Sequence, residues 1–352
     1  MKIKYWTIAL LLLTTATLAA QQRKIIRPGM GANPDLTKDW PKMSAVTSNA
    51  GDADLTAAVN TYVDALVARD LFSGTVLVAR DGKPLFFKSY GLANKDTATP
   101  NTNDTKYNIG SINKIFTRTA LLQLRDEGKI DFTKPLRTYL PDYPSDIADR
   151  VTIQQLLDMT SGMGDIFGPE FDATPKDRLR SLNDYARLFA NKPLEFEPGT
   201  SRRYSNAGYI VLGLVIEKLS GMSYYDYVHT KIFAPLGMTD TAYYAQDEIV
   251  PRRATGYAKG EDGVRHTNVF TLPGRGSSAG GGYSTATDLL RFVTGARKWI
   301  GGAVGFGGGA PGLNAAVETE DRWAIVVLSN YDPPTAEEVA ANLRRGLGIG
   351  GE

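Results

Sequence analysis

The sequence predicts an α+β fold in which an antiparallel sheet flanked by helices is interrupted by an inserted all-helical domain. Strand patterns lie towards the two ends of the chain, at 74–90 and 313–329, while helical patterns dominate 112–275. Strands on either side of a helical insertion can meet in one layer with the terminal helices packed on it. The composition fits, because 42% apolar and 22% charged residues in a chain of 352 are typical of a globular protein with about two domain-sized units.

Charge and rare residues exclude several classes of function. The 40 basic and 38 acidic residues give a net charge of +2, without the basic footprint of a nucleic-acid-binding protein. The absence of cysteine excludes disulfide staples, thiol chemistry and zinc fingers. With only two histidines, His229 and His266, a histidine-built metal centre is a poor hypothesis.

Residues 1–20 have the pattern of a secretory signal peptide. Lys2 and Lys4 precede an apolar run, which ends in the small residues Ala19 and Ala20. The run is short for a membrane span, so an uncleaved anchor is the alternative hypothesis. We expect a periplasmic or secreted protein whose mature chain begins near Gln21, with a leader or linker over 21–50 and no stable membrane span after cleavage.

The predicted sheet domain comprises 51–111 and 276–352. It opens with a helix over 53–69, followed by a β-hairpin over 74–90 that turns at Asp81 and Gly82. Two more strands are predicted at 313–319 and 323–329. A final helix is predicted to start at a capping box formed by Thr335 and Glu338.

The inserted domain is predicted over 112–275. Capping boxes, in which a Ser or Thr is followed three residues later by an acidic residue or its amide, mark two helix starts. They are Thr152 with Gln155 and Ser223 with Asp226. Helices are predicted to end at Gly128, Gly162 and Gly221, where glycine can adopt the left-handed cap conformation.

Ser111 and Lys114 form the first candidate catalytic pair. The apolar pattern places Ser111 at the first turn of a buried helix and Lys114 one turn later on the same side. Burial and the positive helix end both lower the pKa of a lysine, which could then accept the serine proton near neutral pH. A chance occurrence of the Ser-x-x-Lys spacing is the alternative, since a motif of this length needs structural context.

Tyr204 and Asn206 form the second candidate, between a turn at Pro198-Gly199 and a helix over 210–219. A tyrosine hydroxyl beside a lysine can relay a proton, and an asparagine amide can hold a substrate carbonyl. The alternative interpretation is that Asn206 only caps the helix and Tyr204 only packs.

The glycine run over 305–312 is the third candidate, at the end of a predicted strand. Without a Cβ, the strand can approach a ligand, and a backbone N–H there can complete an oxyanion hole with that of Ser111. A bulge or a hairpin crossing is the alternative.

Ser278 is the competing nucleophile, since Gly276–Gly280 fits the Gly-x-Ser-x-Gly elbow of α/β-hydrolases. That elbow requires a strand before it and a helix directly after it, whereas here glycines flank it on both sides. A Ser-His-Asp triad would have to use His229 or His266, and neither is well placed in the sequence.

Taken in order, these motifs resemble the serine β-lactamase and penicillin-binding-protein superfamily, specifically the branch of class C β-lactamases, family VIII carboxylesterases and D-amino-acid peptidases. The resemblance covers most of the mature chain and rests on the segments Tyr107–Lys114, Leu156–Gly162, Tyr204–Asn206, Ile232–Met238 and Ala279–Thr285. It implies a β-lactamase/transpeptidase-like fold with the site in the cleft between two domains. It also implies an acyl-enzyme mechanism without metal or cofactor.

The same resemblance implies roles for individual residues. Ser111 would be the nucleophile and Lys114 its proton acceptor, while Tyr204 would assist as base and protonate the leaving group. Asn206 would orient the acyl side chain. An N–H near Gly308 would complete the oxyanion hole with that of Ser111.

The family's third motif usually begins with Lys, His or Trp before x-Gly, and here Phe306, Gly307 and Gly308 occupy that place. Phenylalanine cannot bind a substrate carboxylate as lysine would, which favours a neutral ester or amide.

These observations predict an exported serine hydrolase, in the first place a carboxylesterase, acting on a small ester, amide or lactam. A β-lactamase or a D-amino-acid or peptidoglycan peptidase is the first alternative. A non-catalytic descendant that binds a ligand in the cleft is the second. Intact Ser111, Lys114, Tyr204 and Asn206 speak against this last hypothesis, because a binding module does not need all four.

Overall fold

A five-stranded antiparallel sheet organises the computed structural model, which describes residues 37–46 and 51–349. Its strand order is β2-β1-β11-β10-β9, so the amino-terminal hairpin pairs directly with the last strand of the chain. The strands are β1 Gly74–Arg80, β2 Lys83–Tyr90, β3 Leu92–Asn94, β4 Thr99–Pro100, β5 Tyr107–Asn108, β6 Tyr257–Lys259, β7 Arg265–Thr267, β8 Tyr283–Ser284, β9 Val304–Ala310, β10 Leu313–Glu320 and β11 Trp323–Ser329.

Eleven α-helices occur within the described residues. They are α1 Asp52–Val67, α2 Asn113–Asp126, α3 Ser145–Ala148, α4 Ile153–Leu157, α5 Pro169–Ala173, α6 Leu182–Ala186, α7 Asn206–Ser220, α8 Tyr224–Val228, α9 Ala286–Gly295, α10 Arg297–Ile300 and α11 Thr335–Gly346. Short 3₁₀ turns and one π turn (His229–Phe233) complete the helical structure.

Tight turns set the register of the sheet. Asp81 and Gly82 both have positive φ, as a two-residue hairpin turn with the right-handed strand twist requires. Strands β1 and β11 then pair from Gly74 opposite Ser329 to Arg80 opposite Trp323. Both strands are buried over most of their length, which explains why their sequences are almost continuously apolar.

The alternation of side chains along these central strands separates two cores. Val76, Val78, Ile325 and Val327 point to a core formed with α1 and α11. The intervening residues point to the opposite face and join a larger core, which continues into the helical region and includes α2 and α7. The larger core therefore links the sheet to the helices that carry the candidate site.

The structure agrees with the predicted α+β class, with helices dominating between β5 and β8. The division at 112–275 stays a prediction, and so does the assignment of 51–111 and 276–352 to one domain. One short strand pair, β6 with β7, lies inside the region predicted to be all-helical.

Two predicted helix signals are wrong. Thr335 is the first residue of α11 and Pro334 precedes it as N-cap, so Thr335 and Glu338 form no capping box; Glu338 instead accepts a hydrogen bond from Lys42. Gly162 does have positive φ, but α4 ends at Leu157, and it is Met159 that turns left-handed just beyond the helix. The capping box of Thr152 with Gln155 is confirmed.

The predicted signal peptide and most of the predicted leader lie outside the described residues. Within residues 37–46 and 51–349, no helix combines the length and the hydropathy that crossing a membrane requires.

Candidate active site

Ser111 lies where the chain passes from β5 into α2. It occupies a 3₁₀ turn, Gly110–Ile112, directly before the helix begins at Asn113. Gly110 has a φ of +48°, and a Cβ there would lie 2.9 Å from the backbone nitrogen of Gly309. Glycine at 110 therefore lets the serine turn sit directly against the edge of the sheet.

Lys114 follows one helical turn after Ser111 and is only 6% exposed. Its Nζ lies 3.2 Å from Ser111 Oγ, 2.7 Å from Asn206 Oδ1 and 2.6 Å from the carbonyl oxygen of Ala279. The structure thus brings the amine into direct contact with the candidate nucleophile.

Burial lowers the pKa of Lys114 from its ordinary value to about 7, although the nearby charge of Asp165 acts in the opposite direction. Near neutral pH a large share of the amine is therefore uncharged and able to accept a proton.

Tyr204 completes the group around Ser111. Its hydroxyl lies 2.6 Å from Ser111 Oγ, and its ring lies 4.7 Å from Lys114 Nζ. Burial raises the pKa of the Tyr204 phenol above its ordinary value, with a further contribution from the charge of Asp165, while the Ser111 hydrogen bond acts against both. The phenol therefore stays protonated at neutral pH and can donate its proton.

Asn206 is the first residue of α7, and the cap of that helix is Ser205, whose Oγ accepts from the N–H of Gly208. Asn206 therefore does not cap the helix, which was the alternative interpretation of the sequence. Its Oδ1 accepts from Lys114, and its Nδ2 donates to both carboxylate oxygens of Asp165 at 3.0 Å.

Asp165 is a site residue that the sequence analysis missed. One of its oxygens also accepts from the backbone N–H of Ile166 at 2.7 Å, which fixes the carboxylate in place. Asp165 stands three residues after Gly162, the end of a segment that carried the family resemblance, and this proximity was the available signal.

Phe306, Gly307 and Gly308 lie on β9, the edge strand of the sheet next to Ser111. A Cβ on Gly308 would lie 2.2 Å from the carbonyl oxygen of Ile109 and 2.8 Å from the backbone nitrogen of Ser111. The glycine thus permits the close approach that an oxyanion hole between this strand and Ser111 would need.

A pocket opens beside Ser111. Its lining includes five of the predicted site residues, namely Ser111, Lys114, Tyr204, Phe306 and Gly307. It also includes Ile115, Arg118 and Tyr209, which the sequence analysis did not single out. Asn206 and Gly308 are not part of this lining.

Ser278 does not share the environment of Ser111. It is fully buried, and its hydroxyl donates to the carbonyl oxygen of Tyr209. The segment around it is a turn without the strand and helix of a nucleophile elbow, and it supplies the Ala279 carbonyl to Lys114. Of the histidines, His266 pairs with Asp262 on the surface and His229 is exposed.

The chain is similar to proteins of one known family. The profile of the Beta-lactamase family matches residues 59–300. Penicillin-binding protein 4* of Bacillus subtilis (strain 168) is 33% identical over 217 residues, which make up 61% of this chain and 47% of that protein. The chain thus matches about half the length of this curated relative.

Solved structures extend the likeness over more of the chain. A penicillin-binding protein from Bacillus halodurans is 30% identical with a TM-score of 0.74, over 82% of this chain and 98% of that one. The D-amino acid amidase of Ochrobactrum anthropi, 23% identical with a TM-score of 0.69 over 83% and 98% of the two chains, shares the fold. The family profile, the sequence relative and the shared fold confirm the resemblance drawn from the motifs: this chain belongs to the Beta-lactamase family.

Proposed function

We propose that the protein is a serine hydrolase that cleaves esters or small amides through an acyl-Ser111 intermediate, in the first place a carboxylesterase. The observation that carries the proposal is the contact of Ser111 Oγ with Lys114 Nζ at 3.2 Å and with the Tyr204 hydroxyl at 2.6 Å. A nucleophile within hydrogen-bond reach of a base, which is itself held by a third group, is the arrangement of covalent catalysis.

Acylation follows from these contacts. Ser111 Oγ attacks the carbonyl carbon of the substrate as its proton passes to the neutral amine of Lys114. The backbone N–H groups of Ser111 and of β9 near Gly308 stabilise the resulting oxyanion. Tyr204, which holds its proton at neutral pH, donates it to the departing alcohol or amine, and the tyrosine regains a proton from Lys114.

Deacylation runs through the same groups in reverse. A water molecule takes the place of the leaving group and attacks the acyl carbon while its proton passes through the Tyr204 hydroxyl to the neutral amine of Lys114. The bond to Ser111 Oγ then breaks, and the serine recovers its proton as the carboxylic acid departs. Asn206, held between Lys114 and Asp165, keeps the amine in position through both steps.

Phe306 is the reason for preferring an ester over a lactam or a peptide carboxylate. The aromatic ring lies in the pocket wall. By the family resemblance it takes the place of the Lys, His or Trp that usually begins the third motif, where a lysine would bind a carboxylate. The predicted signal peptide would direct the protein to export, so we propose that this activity takes place in the periplasm or outside the cell.

The similarity to the Bacillus halodurans penicillin-binding protein favours a second candidate function, a peptidase or β-lactamase acting on D-amino-acid or lactam substrates. A stable penicilloyl adduct on Ser111, detected by mass spectrometry, together with slow ester turnover, would favour this candidate. The third hypothesis, a ligand-binding descendant without catalysis, requires that no activated ester or fluorophosphonate labels Ser111.

The test is hydrolysis of a short-chain nitrophenyl ester by the protein and by two variants. Ser111→Ala is expected to lower kcat at least about 1,000-fold, because it removes the nucleophile. Ser278→Ala is the matched control: it removes a buried hydroxyl outside the pocket lining and is expected to retain most of the activity. Activity that survives in Ser111→Ala and disappears in Ser278→Ala would refute the proposal.

A further inference from the structure

A second basic side chain lies in the pocket beside Lys114 and takes no part in the proposed chemistry. Arg118 lines the pocket and is exposed to solvent. It follows Lys114 by four residues on α2, so the two side chains stand on the same helix face about 6 Å apart along the axis. Along the same axis, Arg118 lies about 10 Å from Ser111.

The guanidinium of Arg118 has no counter-ion in the described part of the chain. Within residues 37–46 and 51–349, neither an ion pair nor a hydrogen bond reaches it, whereas the amine of Lys114 has three polar neighbours. Asp158 is an acidic residue near Arg118, since the charges of both residues influence the pKa of Tyr209. The Asp158 carboxylate, however, accepts a hydrogen bond from Gln154 and forms no ion pair with Arg118 among the described residues.

The wall between Ser111 and Arg118 is mainly apolar. Ile115, Tyr209 and Phe306 contribute to it, and the first two are almost fully buried. A charge at the edge of an apolar wall attracts an opposite charge more strongly than it would in water. The planar guanidinium also matches a carboxylate in a two-pronged geometry, which gives it selectivity over a neutral group.

We propose that Arg118 binds a carboxylate on the acyl chain of the substrate. The preferred substrates are then esters or amides of dicarboxylic or similar acids, with the anionic group several bonds away from the scissile carbonyl. The acyl chain stays attached to Ser111 until deacylation, so the pocket beside Ser111 is its natural seat. This inference rests on the proposed acyl-Ser111 mechanism and names the substrate class of that site.

This inference changes the expectation of a neutral substrate. That expectation rested only on Phe306, at the edge of the sheet. Phe306 leaves no cation on β9, while Arg118 places one on α2, on the helix that carries Lys114. The carboxylate is therefore expected further along the acyl chain than a cation at position 306 would hold it.

The experiment compares two substrates, mono-p-nitrophenyl adipate and methyl p-nitrophenyl adipate. The second carries a methyl ester in place of the free carboxylate and therefore has no charge. The measured quantity is the ratio of kcat/KM for the anionic ester to that for the neutral one. Arg118→Gln is expected to lower this ratio about tenfold, which corresponds to about 1.4 kcal/mol. Arg118→Lys, which keeps the charge but not the fork, should fall between the two proteins.

Arg125→Gln is the matched control, because Arg125 is an exposed arginine on the same helix outside the pocket lining. It should leave the ratio unchanged, and the wild-type ratio should fall as sodium chloride is raised. A ratio that is the same in wild type and Arg118→Gln would overturn the inference while leaving the hydrolase proposal intact. Failure of the wild-type protein to cleave either ester would instead overturn the proposed function, and this inference with it.

Discussion

The polar neighbours of Lys114 accommodate the uncharged form of its amine. The carbonyl oxygens of Asn206 and Ala279, at 2.7 and 2.6 Å, can take two N–H groups. An uncharged amine has two such hydrogens and one lone pair, so the lone pair is left for the third neighbour, the hydroxyl of Ser111. The neutral amine thus fills the site without an unpaired donor and is oriented to receive the serine proton.

The rate of ester hydrolysis should therefore depend on pH through Lys114. A pKa of about 7 means that the amine becomes protonated, and unable to act as a base, as the pH falls below that value. We expect kcat/KM to rise with pH on a limb with an apparent pKa near 7. A rate that stays flat between pH about 5 and 9 would contradict this role for the lysine.

Asp165→Asn tests the source of that pKa in the same experiment. The charge of Asp165 favours the protonated amine, so its removal should move the acidic limb of the pH profile to lower pH. The maximal rate should also fall, because the Asn206 amide loses the carboxylate that orients it. Asp172→Asn, at an exposed position, is the control. A lower rate with an unshifted limb would indicate only structural damage.

At the scale of elements, the site depends on how closely edge strand β9 meets the start of α2. Gly308 faces the Ser111 turn, and a methyl group there would overlap the Ile109 carbonyl oxygen. Gly308→Ala should therefore push strand and turn apart, lower the free energy of unfolding by about 1–3 kcal/mol, and reduce kcat by tenfold or more.

Gly302→Ala is the matched control for that variant, since a Cβ at 302 would meet nothing within 4 Å. It precedes the same strand and is expected to change neither the ester hydrolysis rate nor the urea midpoint. An equally active Gly308→Ala would rule out a contribution of this strand to oxyanion stabilisation.

At the scale of the whole molecule, one face of the sheet contributes to stability alone, whereas the other also supports the candidate site. Leu343 on α11 is fully buried in the core formed with α1, whereas the site borders the opposite core. Leu343→Ala should lower the free energy of unfolding by about 2–5 kcal/mol in a urea titration. Its kcat/KM for the nitrophenyl ester should match the wild type at a temperature where both are folded.

Leu347→Ala is the comparison for that measurement, because Leu347 is only partly buried against the same core. It should cost less stability than Leu343→Ala. Loss of activity in folded Leu343→Ala would mean that the two faces are coupled through the sheet.

Sequence reasoning succeeded where the signal was local. The hairpin of β1 and β2 follows from alternating apolar residues around Asp81 and Gly82, and Ser111 and Lys114 share a face because three residues make nearly one helical turn. The capping box expected at Thr335 failed because Pro334 already stands at the N-cap, so the helix starts at Thr335 itself, one residue earlier than a cap at Thr335 would allow.

The remaining site could not be predicted because its contacts join distant parts of the chain. Asp165 meets Asn206 across 41 residues, and the Ala279 carbonyl meets Lys114 across 165, without any periodicity that relates them. Tyr204 and Asn206 were singled out by their place between a turn and a helix, whereas their individual roles came from the family resemblance. Arg118 could have been predicted as a site residue, because it follows Lys114 by four residues and therefore lies on the same helix face.

The position of β11 in the sheet has a consequence for biosynthesis. This strand joins the amino-terminal hairpin to β10, yet it is the last strand of the sheet to be synthesised. A growing chain that already contains Ser111, Lys114 and Phe306 therefore still has two unjoined hairpins, and the sheet that supports the site cannot close. Pairing over such sequence distances is slow, so we expect the protein to mature after translation and any chain truncated before β11 to be inactive.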